Sequence, residues 1–130
     1  DFGHHQTAIF ETTKALRQRF NPSRVIVCWE PRSFTCQTKL HEPKMPNSFI
    51  YANVVLMGPL PVNTRISPEE RINLENIKQA LIALGKEVYI CNCEEDYFRF
   101  LTKVLREGDL LIFYSSGSFF ELPKKLAEMI

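Results

Sequence analysis

Four short apolar runs, separated by amphipathic segments, constrain the fold of this chain more than any other feature. The runs begin at Arg24, Asn53, Glu87 and Asp109. Each run is almost uninterrupted in its apolar residues, which is typical of strands buried on both faces of a parallel sheet. The segments between the runs are long enough to hold crossover helices. The pattern therefore predicts an α/β fold, Rossmann-like, with a mainly parallel sheet and helices on both of its faces.

Helical periodicity fills two of the segments outside the strands. Apolar residues recur at helical spacing from Thr7 to Phe20, which predicts a first helix there. Ser67 and Glu70 have the sequence of a capping box around Pro68, so a second helix is predicted to begin at Ser67. Gly85 follows the last apolar residue of this periodic segment and is expected to end that helix.

The other segments differ in their helical character. Three prolines lie between Glu30 and Asn53, so any helix in that stretch is expected to be short or broken. A further helix is predicted before Gly108. Ser118 and Glu121 form a second capping-box sequence, which predicts a final helix to the end of the chain.

Composition excludes several classes of protein. The 130 residues are enough for a single domain, and 16 Lys and Arg against 15 Asp and Glu give a net charge of +1. A nucleic-acid binder that relies on a basic field is therefore not expected. No apolar run approaches the roughly 20 residues that span a bilayer, so no membrane partner is predicted. The spacing of the four cysteines favours neither a disulfide nor a zinc site, and their use fits a reducing cytoplasm.

Candidate binding residues follow from the sheet, because ligands of open α/β sheets bind outside the carboxyl ends of the strands. An arginine with two nearby hydroxyls follows the first strand, and a small polar turn follows the fourth. Both provide donors for a carboxylate or a phosphate. The residues concerned are Arg32, Ser33 and Thr35, and Ser115, Ser116, Gly117 and Ser118. A purely structural interpretation stays open, in which Ser118 caps its helix and Arg32 pairs with Glu30.

The first residues form a second group with chemical potential. Asp1, His4 and His5 are compatible with a phosphate or ribose contact, a general base or a metal site. Chelation by both histidines is disfavoured, because adjacent side chains on a loop point in different directions. A structural alternative is that one histidine packs against the helix that begins near Thr7. The chain has neither G-x-x-x-x-G-K-S/T nor G-x-G-x-x-G, so nothing in it could cradle a triphosphate unaided.

Several segments together carry a resemblance to a known family. The segment from Asp1 to Ile9 resembles the D-F/Y-A/G-H-H-P-T-x-I motif that opens the C-terminal domain of Mur ligases. The sequence from Glu30 to Thr35 resembles the E-P-R-S-N-T segment of the murein-recycling branch of that family. The order and spacing of two later segments, 108–113 and 115–119, resemble the same branch. The likeness extends over essentially the whole chain.

The resemblance implies a function as part of a larger enzyme. Mur ligases are ATP-dependent, and this branch joins L-Ala-γ-D-Glu-meso-diaminopimelate to UDP-N-acetylmuramate through an acyl phosphate. Asp1 and His4 match the residues that face ATP. Residues 32–35 and 115–118 match the segments that face the tripeptide. Residues 1–130 would then be one C-terminal domain, with no catalytic residue and no metal ligand of its own. Mg²⁺ and the ATP phosphates would be bound mainly by a central domain that this chain lacks, and the isolated domain is expected to be inactive.

Departures from the family motifs keep other interpretations open. Gln6 replaces a proline, Phe34 replaces an asparagine and Ser116 replaces another asparagine. The amino component could therefore be L-alanine, as in UDP-N-acetylmuramate–L-alanine ligase. A free-standing Rossmann-like module that holds a phosphorylated ligand at residues 115–118 is a further alternative. The start at Asp1 without a methionine is expected to reflect a chain cut from a longer protein.

Overall fold

The computed structural model describes residues 6–31, 39–60 and 67–115. Its four strands are β1 (Arg24–Trp29), β2 (Val54–Met57), β3 (Glu87–Ile90) and β4 (Asp109–Tyr114). Its four α-helices are α1 (Gln6–Phe20), α2 (Met45–Ser48), α3 (Leu74–Ala83) and α4 (Glu94–Val104). Short 3-10 turns cover Lys39–Lys44 and Pro68–Glu70. All four apolar runs of the sequence form the strands predicted for them, with ends that shift by a single residue at most.

The four strands form one parallel sheet in the order β3-β2-β1-β4. β1 is central, and its last residue, Trp29, pairs with Met57 of β2 and with Tyr114 of β4. The chain first moves outward from β1 to β2 and β3, and α4 then returns it to the opposite side of β1. The direction of winding therefore reverses between β1 and β4, which makes their carboxyl ends the topological switch point of the sheet.

Helices cover both faces of the sheet, as the sequence predicts. Alternate residues of β1 point to opposite faces, so Val27 packs with α1, α2 and α3 while Cys28 packs with α4. The α4 face is closed by the buried side chains of Tyr97, Leu101 and Val104. The α/β, Rossmann-like architecture is confirmed.

The amino edge of the sheet is held by charged and amide side chains. The Arg24 guanidinium donates from Nε and Nη2 to the two carboxylate oxygens of Asp109, at 3.0 and 2.7 Å. Arg17 of α1 donates to Asn53 Oδ1 at 3.0 Å, and the Val25 amide donates to the same oxygen at 2.9 Å. These bonds connect α1, β1, β2 and β4 at the edge opposite the switch point.

The predicted start of the second helix is wrong. Ser67 Oγ does donate to Glu70 Oε1 at 2.8 Å, but the helical turn ends at Glu70 and Arg71 is extended at φ −82°, ψ 143°. Helix α3 begins at Leu74 instead, and Asn73 caps it by accepting a hydrogen bond from the Glu75 amide at 2.9 Å. The local capping sequence thus forms a single turn, and a second cap three residues beyond it begins the helix.

No helix in the described segments is long and apolar enough to cross a membrane.

Candidate functional site at the carboxyl ends of β1 and β4

Glu30 and Ser115 are the first residues after the two strands that flank the switch point. The Glu30 amide donates to the Tyr114 carbonyl at 2.9 Å, so pairing continues one residue past the end of β1. Ser115 Oγ donates to Glu30 Oε1 at 2.6 Å. The two chain segments that leave the sheet at this point therefore start side by side, connected through backbone and side chains.

The Glu30 carboxylate is deeply buried for a charged group. The residue is 3% exposed, whereas carboxylates are almost never buried without partners. A hydroxyl that donates to a carboxylate forms one of the stronger hydrogen bonds in proteins, and a distance of 2.6 Å is within the range of such bonds. The bond to Ser115 offsets part of the cost of removing this charge from water.

Tyr97 of α4 supports the neighbouring strand ends from the other face of the sheet. Its hydroxyl donates to the carbonyl oxygen of Gly58, directly after β2, and lies 3.3 Å from the Trp29 carbonyl oxygen at the end of β1. Burial is the largest cause that raises the pKa of the Tyr97 phenol well above its ordinary value. The hydroxyl therefore stays protonated and remains a donor to these carbonyls.

The ends of β2 and β3 pack closely at Gly58. This residue has φ +113°, and a Cβ atom there would lie 2.3 Å from the Cys91 carbonyl oxygen. Only glycine allows this approach, because any side chain would collide with the backbone after β3. The loop after β2 is thereby fixed against the loop after β3.

The buried thiols near this edge are not activated. Burial raises the pKa of Cys28 well above its ordinary value and raises that of Cys91 to about 12. Both thiols are protonated at neutral pH and pack as small apolar groups, whereas Cys93 is exposed. All three are free thiols. Within residues 6–31, 39–60 and 67–115, no group of three or more His, Cys, Asp or Glu side chains could hold a metal ion.

A cavity of about 280 Å³ lies between α1 and α2. Its described lining consists of Thr7, Phe10, Lys44, Asn47 and Ser48. The lining combines an ammonium, an amide, two hydroxyls and an aromatic ring, and none of these described residues is acidic. The cavity lies beside the first turn of α1, the helix that directly follows the segment containing Asp1 and His4.

Most of the residues predicted from the sequence lie outside the part of the chain that the structure describes. They are Asp1 and His4, then Arg32, Ser33 and Thr35, and finally Ser116, Gly117 and Ser118. Ser115 is described, and it directly follows the fourth strand, as the sequence predicts; its role in binding stays a prediction. The alternative in which Arg32 pairs with Glu30 stays a prediction, because Arg32 is among the residues outside the described part.

Glu30 is the residue that sequence reasoning did not select. Its signal was available, since Glu30 is the first charged residue after a continuous apolar strand and directly precedes the segment that contains Arg32. Its partner was not available from local sequence, because Ser115 is 85 residues away. The parallel pairing of β1 with β4 is what brings the two together.

Curated relatives match the chain along its whole length, although no protein-family model matches it. The UDP-N-acetylmuramate–L-alanine ligase of Sulfurihydrogenibium sp. (strain YO3AOP1) is 23% identical over 130 residues, which cover 100% of this chain and 28% of that protein. The enzyme of the same name from Desulfatibacillum aliphaticivorans is 29% identical over 124 residues, covering 94% and 26%. The chain thus spans about a quarter of the length of these relatives.

Solved structures share the fold. A murein peptide ligase from Psychrobacter arcticus 273-4 superposes with a TM-score of 0.75 at 24% identity, covering 98% of this chain and 26% of that one. A domain from Haemophilus ducreyi 35000HP superposes with a TM-score of 0.72 at 21% identity, covering 99% of this chain and 86% of that one. That domain is assigned to a UDP-N-acetylmuramate:L-alanyl-γ-D-glutamyl-meso-diaminopimelate ligase. The UDP-N-acetylmuramate–alanine ligase of Thermotoga maritima superposes with a TM-score of 0.61 at 18% identity, covering 99% of this chain and 25% of that one.

These likenesses confirm the resemblance to the C-terminal domain of Mur ligases that the sequence motifs predict. They include ligases of two kinds, those named for L-alanine and those named for a murein peptide. They do not distinguish L-alanine from a murein peptide as the amino component of the protein that contains this chain.

Proposed function

We propose that this chain, a Mur ligase C-terminal domain by its sequence likeness and fold, receives the amino component in an ATP-dependent ligase. In the reaction we propose, L-Ala-γ-D-Glu-meso-diaminopimelate is joined to UDP-N-acetylmuramate. The cell-wall tripeptide is favoured by the likeness of the segments beginning at Glu30 and Ser115 to the murein-recycling branch. We further propose a cytoplasmic location, in keeping with the free thiols of Cys28, Cys91 and Cys93.

One observation carries the proposal. The Glu30–Ser115 bond of 2.6 Å joins the starts of the two segments whose sequences match the family's substrate-facing motifs. The meeting point is the topological switch point, where ligands of open α/β sheets bind. Motif, topology and geometry thus favour the same edge of the sheet as the binding site.

The residue roles follow from the chemistry of the tripeptide, which is rich in carboxylates. The Arg32 guanidinium suits a carboxylate because it presents a planar fork of donors. Hydroxyls of Ser33, Thr35 and the turn at residues 115–118 would add further donors. These assignments are proposals on sequence matches, since of these residues only Ser115 is described by the structure.

Nucleotide chemistry is assigned mainly to other parts of the enzyme. Asp1 is proposed to accept hydrogen bonds from the ribose hydroxyls of ATP, and His4 is proposed to donate to phosphate oxygens. Bound with Mg²⁺, ATP would supply the phosphoryl group that activates the lactyl carboxylate. The carboxylates and lysines needed to hold these groups are proposed to lie in a central domain outside this chain.

L-Alanine is the second candidate for the amino component. The two curated relatives reported above, from Sulfurihydrogenibium sp. and Desulfatibacillum aliphaticivorans, are both UDP-N-acetylmuramate–L-alanine ligases. A single amino acid and a tripeptide present the same attacking amine, so the same strand-end donors could orient either one. The difference between them lies in how many further carboxylates the site must bind.

The test is a ligation assay on the longest protein that contains this sequence. Purified enzyme is mixed with ATP, Mg²⁺ and UDP-N-acetylmuramate, and either the tripeptide or L-alanine is added. Phosphate release and product mass are measured. We expect ligation of the tripeptide with a higher kcat/KM than that for L-alanine. The reverse preference would replace the first candidate by the second, and ligation of neither would refute the proposed function.

An arginine variant tests the assigned site. Arg32→Ala is expected to raise the KM for the amino component by tenfold or more, because a charge-assisted bond contributes about 1.5–3 kcal/mol. Arg19→Ala is the matched control, since Arg19 lies on an exposed turn of α1, where it contacts the Phe20 ring. Equal effects of the two substitutions would argue against the assignment of Arg32.

A further inference from the structure

The cavity between α1 and α2 has walls that the hydrophobic core holds in place. On one side it is lined by Thr7 and Phe10 of α1, and the buried Ile9 between them packs this helix into the core. On the other side it is lined by residues of the segment 44–48, in which Met45 is buried in the same core. The cavity is therefore a feature of the packed fold.

The charges around the cavity favour an anion. Lys44 places an ammonium group in the lining, and none of the described lining residues is acidic. Of the acidic residues nearby in sequence, Glu11 does not line the cavity. Glu42 accepts hydrogen bonds at the start of α3, from the Asn73 amide at 2.7 Å and from Asn76 Nδ2 at 3.1 Å. The first turn of α1, a helix of 15 residues, adjoins the cavity and has no acidic residue, so the positive end of its dipole adds to the attraction.

Ser48 provides a second, independent indication of a ligand. It lines the cavity and is only 2% exposed, and within the described part of the chain its buried Oγ has no hydrogen-bond partner. Nearly all buried polar side-chain atoms have a partner, because an unpaired one destabilises the fold. Rotation about the Cα–Cβ bond of serine moves Oγ among three staggered positions. A ligand in the cavity can therefore supply the partner that this hydroxyl lacks.

We propose that this cavity is a binding site for a small phosphate monoester that carries a flat ring. Lysine binds phosphate well as a point charge, and the Asn47 amide and the Ser48 hydroxyl supply donors for the other phosphate oxygens. The Phe10 ring provides an apolar surface for the ring of the ligand. A volume of about 280 Å³ restricts the site to small molecules, since ligand cavities commonly measure roughly 300–1,000 Å³. The proposal does not depend on the proposed ligase function.

The experiment is a titration of the ¹⁵N-labelled 130-residue chain with phenyl phosphate, followed by NMR. We expect saturable shifts of the backbone amides of residues 7–10 and 44–48. Benzyl alcohol, which has the ring without the charge, is expected to bind at least about tenfold more weakly. Absence of saturable shifts in these two segments at millimolar phenyl phosphate would overturn the proposal, as would equal binding of benzyl alcohol.

Two substitutions test the assigned groups. Lys44→Gln is expected to weaken phenyl phosphate binding about tenfold or more, because it removes a charge-assisted bond. Lys103→Gln is the matched control, since Lys103 is exposed on α4, on the other face of the sheet. Ser48→Ala is expected to weaken binding about threefold or more without lowering the free energy of unfolding, because the hydroxyl it removes has no partner in the unliganded chain.

The outcomes separate this site from the proposed ligase chemistry. Equal effects of Lys44→Gln and Lys103→Gln, or an unchanged affinity in Ser48→Ala, would refute the cavity as the binding site. Asp1→Ala is expected to leave phenyl phosphate binding within twofold of the wild type. If it weakened that binding as much as Lys44→Gln does, the cavity would be part of the proposed nucleotide contact, and the separate site would be refuted while the proposed function stands. Failure of ligation in the longest protein would refute the proposed function alone.

Discussion

Tyr97 shows how one side chain of α4 fixes two strand ends. Its hydroxyl is buried and lies within hydrogen-bond distance of the carbonyl oxygens of Gly58 and Trp29. Those carbonyls are the last backbone groups before the loops that leave β2 and β1. Removal of the hydroxyl would take this donor from the buried Gly58 carbonyl, whereas the Trp29 carbonyl would keep its bond from the Gly58 amide at 2.9 Å. A buried acceptor that loses a donor costs more than the loss of a solvated hydrogen bond.

Tyr97→Phe is expected to lower the free energy of unfolding by about 1–3 kcal/mol. Urea denaturation of the 130-residue chain measures this loss. Tyr89→Phe is the control, because the Tyr89 hydroxyl donates to Glu87 at an exposed position and its removal should cost less than about 0.5 kcal/mol. Equal losses in the two variants would contradict the role of Tyr97 at the strand ends.

The Arg24–Asp109 pair makes a pH-dependent contribution at the opposite edge of the sheet. Hydrogen bonds from the Arg24 guanidinium are the largest cause that lowers the pKa of Asp109 below its ordinary value. The folded state therefore binds a proton at Asp109 less readily than the unfolded state does. The stabilisation is fully present above the ordinary pKa of about 3.9 and is lost as the pH falls through the lower folded value.

Asp109→Asn is expected to cost about 2 kcal/mol at pH 7, because it removes the charge from a bidentate pair with little solvent access. The difference in the free energy of unfolding between the wild type and this variant should become smaller as the pH falls below about 4. Urea denaturation at a series of pH values from 7 to acid measures it. Glu69→Gln, an exposed carboxylate, serves as control and should change stability by less than about 0.5 kcal/mol throughout. If the stability lost in Asp109→Asn were the same at every pH, the pH-dependent contribution of the Arg24–Asp109 pair would be refuted.

Among the elements, α3 provides a direct test of where a helix begins. Asn73 is extended at φ −111°, ψ 110°, and its side chain accepts from the Glu75 amide. Asn73→Ala is expected to reduce the free energy of unfolding by about 1 kcal/mol through loss of this cap. Ser67→Ala, at the cap position that the sequence predicts, should cost only a few tenths of a kcal/mol. Guanidinium denaturation distinguishes the two, and a larger loss in Ser67→Ala would place the start of the helix back at the capping box.

The elements also show what sequence reasoning could and could not predict. The strand from Arg24 to Trp29 was predicted to the residue, because a continuous apolar run between turn residues allows few alternatives. The start of α3 was wrong because Ser67 and Glu70 do interact, but the extended backbone of Arg71 prevents that turn from continuing. Local sequence shows which caps are possible, but it does not show which of two neighbouring caps, at Ser67 or at Asn73, begins the longer helix.

The candidate site shows the same limit at longer range. Strand ends could be located from the apolar runs, and Ser115 was selected in that way. Glu30 could not be joined to Ser115, since the order of strands in the sheet determines which ends are neighbours. A residue whose importance depends on a partner 85 positions away needs the topology before its role can be recognised.

Across the whole molecule, the two edges of the sheet differ in what their polar groups do. At the amino edge, Arg24 with Asp109 and Arg17 with Asn53 connect strands and helix at the end of the sheet opposite the switch point. At the carboxyl edge, Glu30 and Ser115 lie where the proposed substrate segments begin. Substitutions at the amino edge should therefore reduce stability with little effect on substrate affinity, whereas Ser115→Ala should reduce both, because its hydroxyl is also a partner of the buried Glu30 carboxylate.

The chain alone is expected to show no ATP turnover above background. Its sequence contains no G-x-x-x-x-G-K-S/T loop, and the groups proposed to face ATP supply a ribose contact and a phosphate contact without a cradle for the triphosphate. Phosphoryl transfer requires positioning and charge neutralisation that a few isolated donors do not provide. Phosphate release by the 130-residue chain with ATP and Mg²⁺ is measured beside that of the longest protein containing it. Turnover by the chain at an enzyme-like rate would refute its assignment as one part of a ligase.

Nucleotide binding by the same chain provides the complementary measurement. A ligase domain that contributes only Asp1 and His4 to the nucleotide should bind ATP weakly, and Asp1→Ala should weaken that binding further. A free-standing module that holds a phosphorylated ligand at residues 115–118 would behave differently. It would bind the nucleotide tightly, would retain that affinity in Asp1→Ala and would lose it in Gly117→Val, because a branched side chain obstructs backbone donors at that turn. Calorimetric titration of the three proteins with ATP separates the two functions, and weak binding by the wild type that decreases in Asp1→Ala is the result expected for a ligase domain.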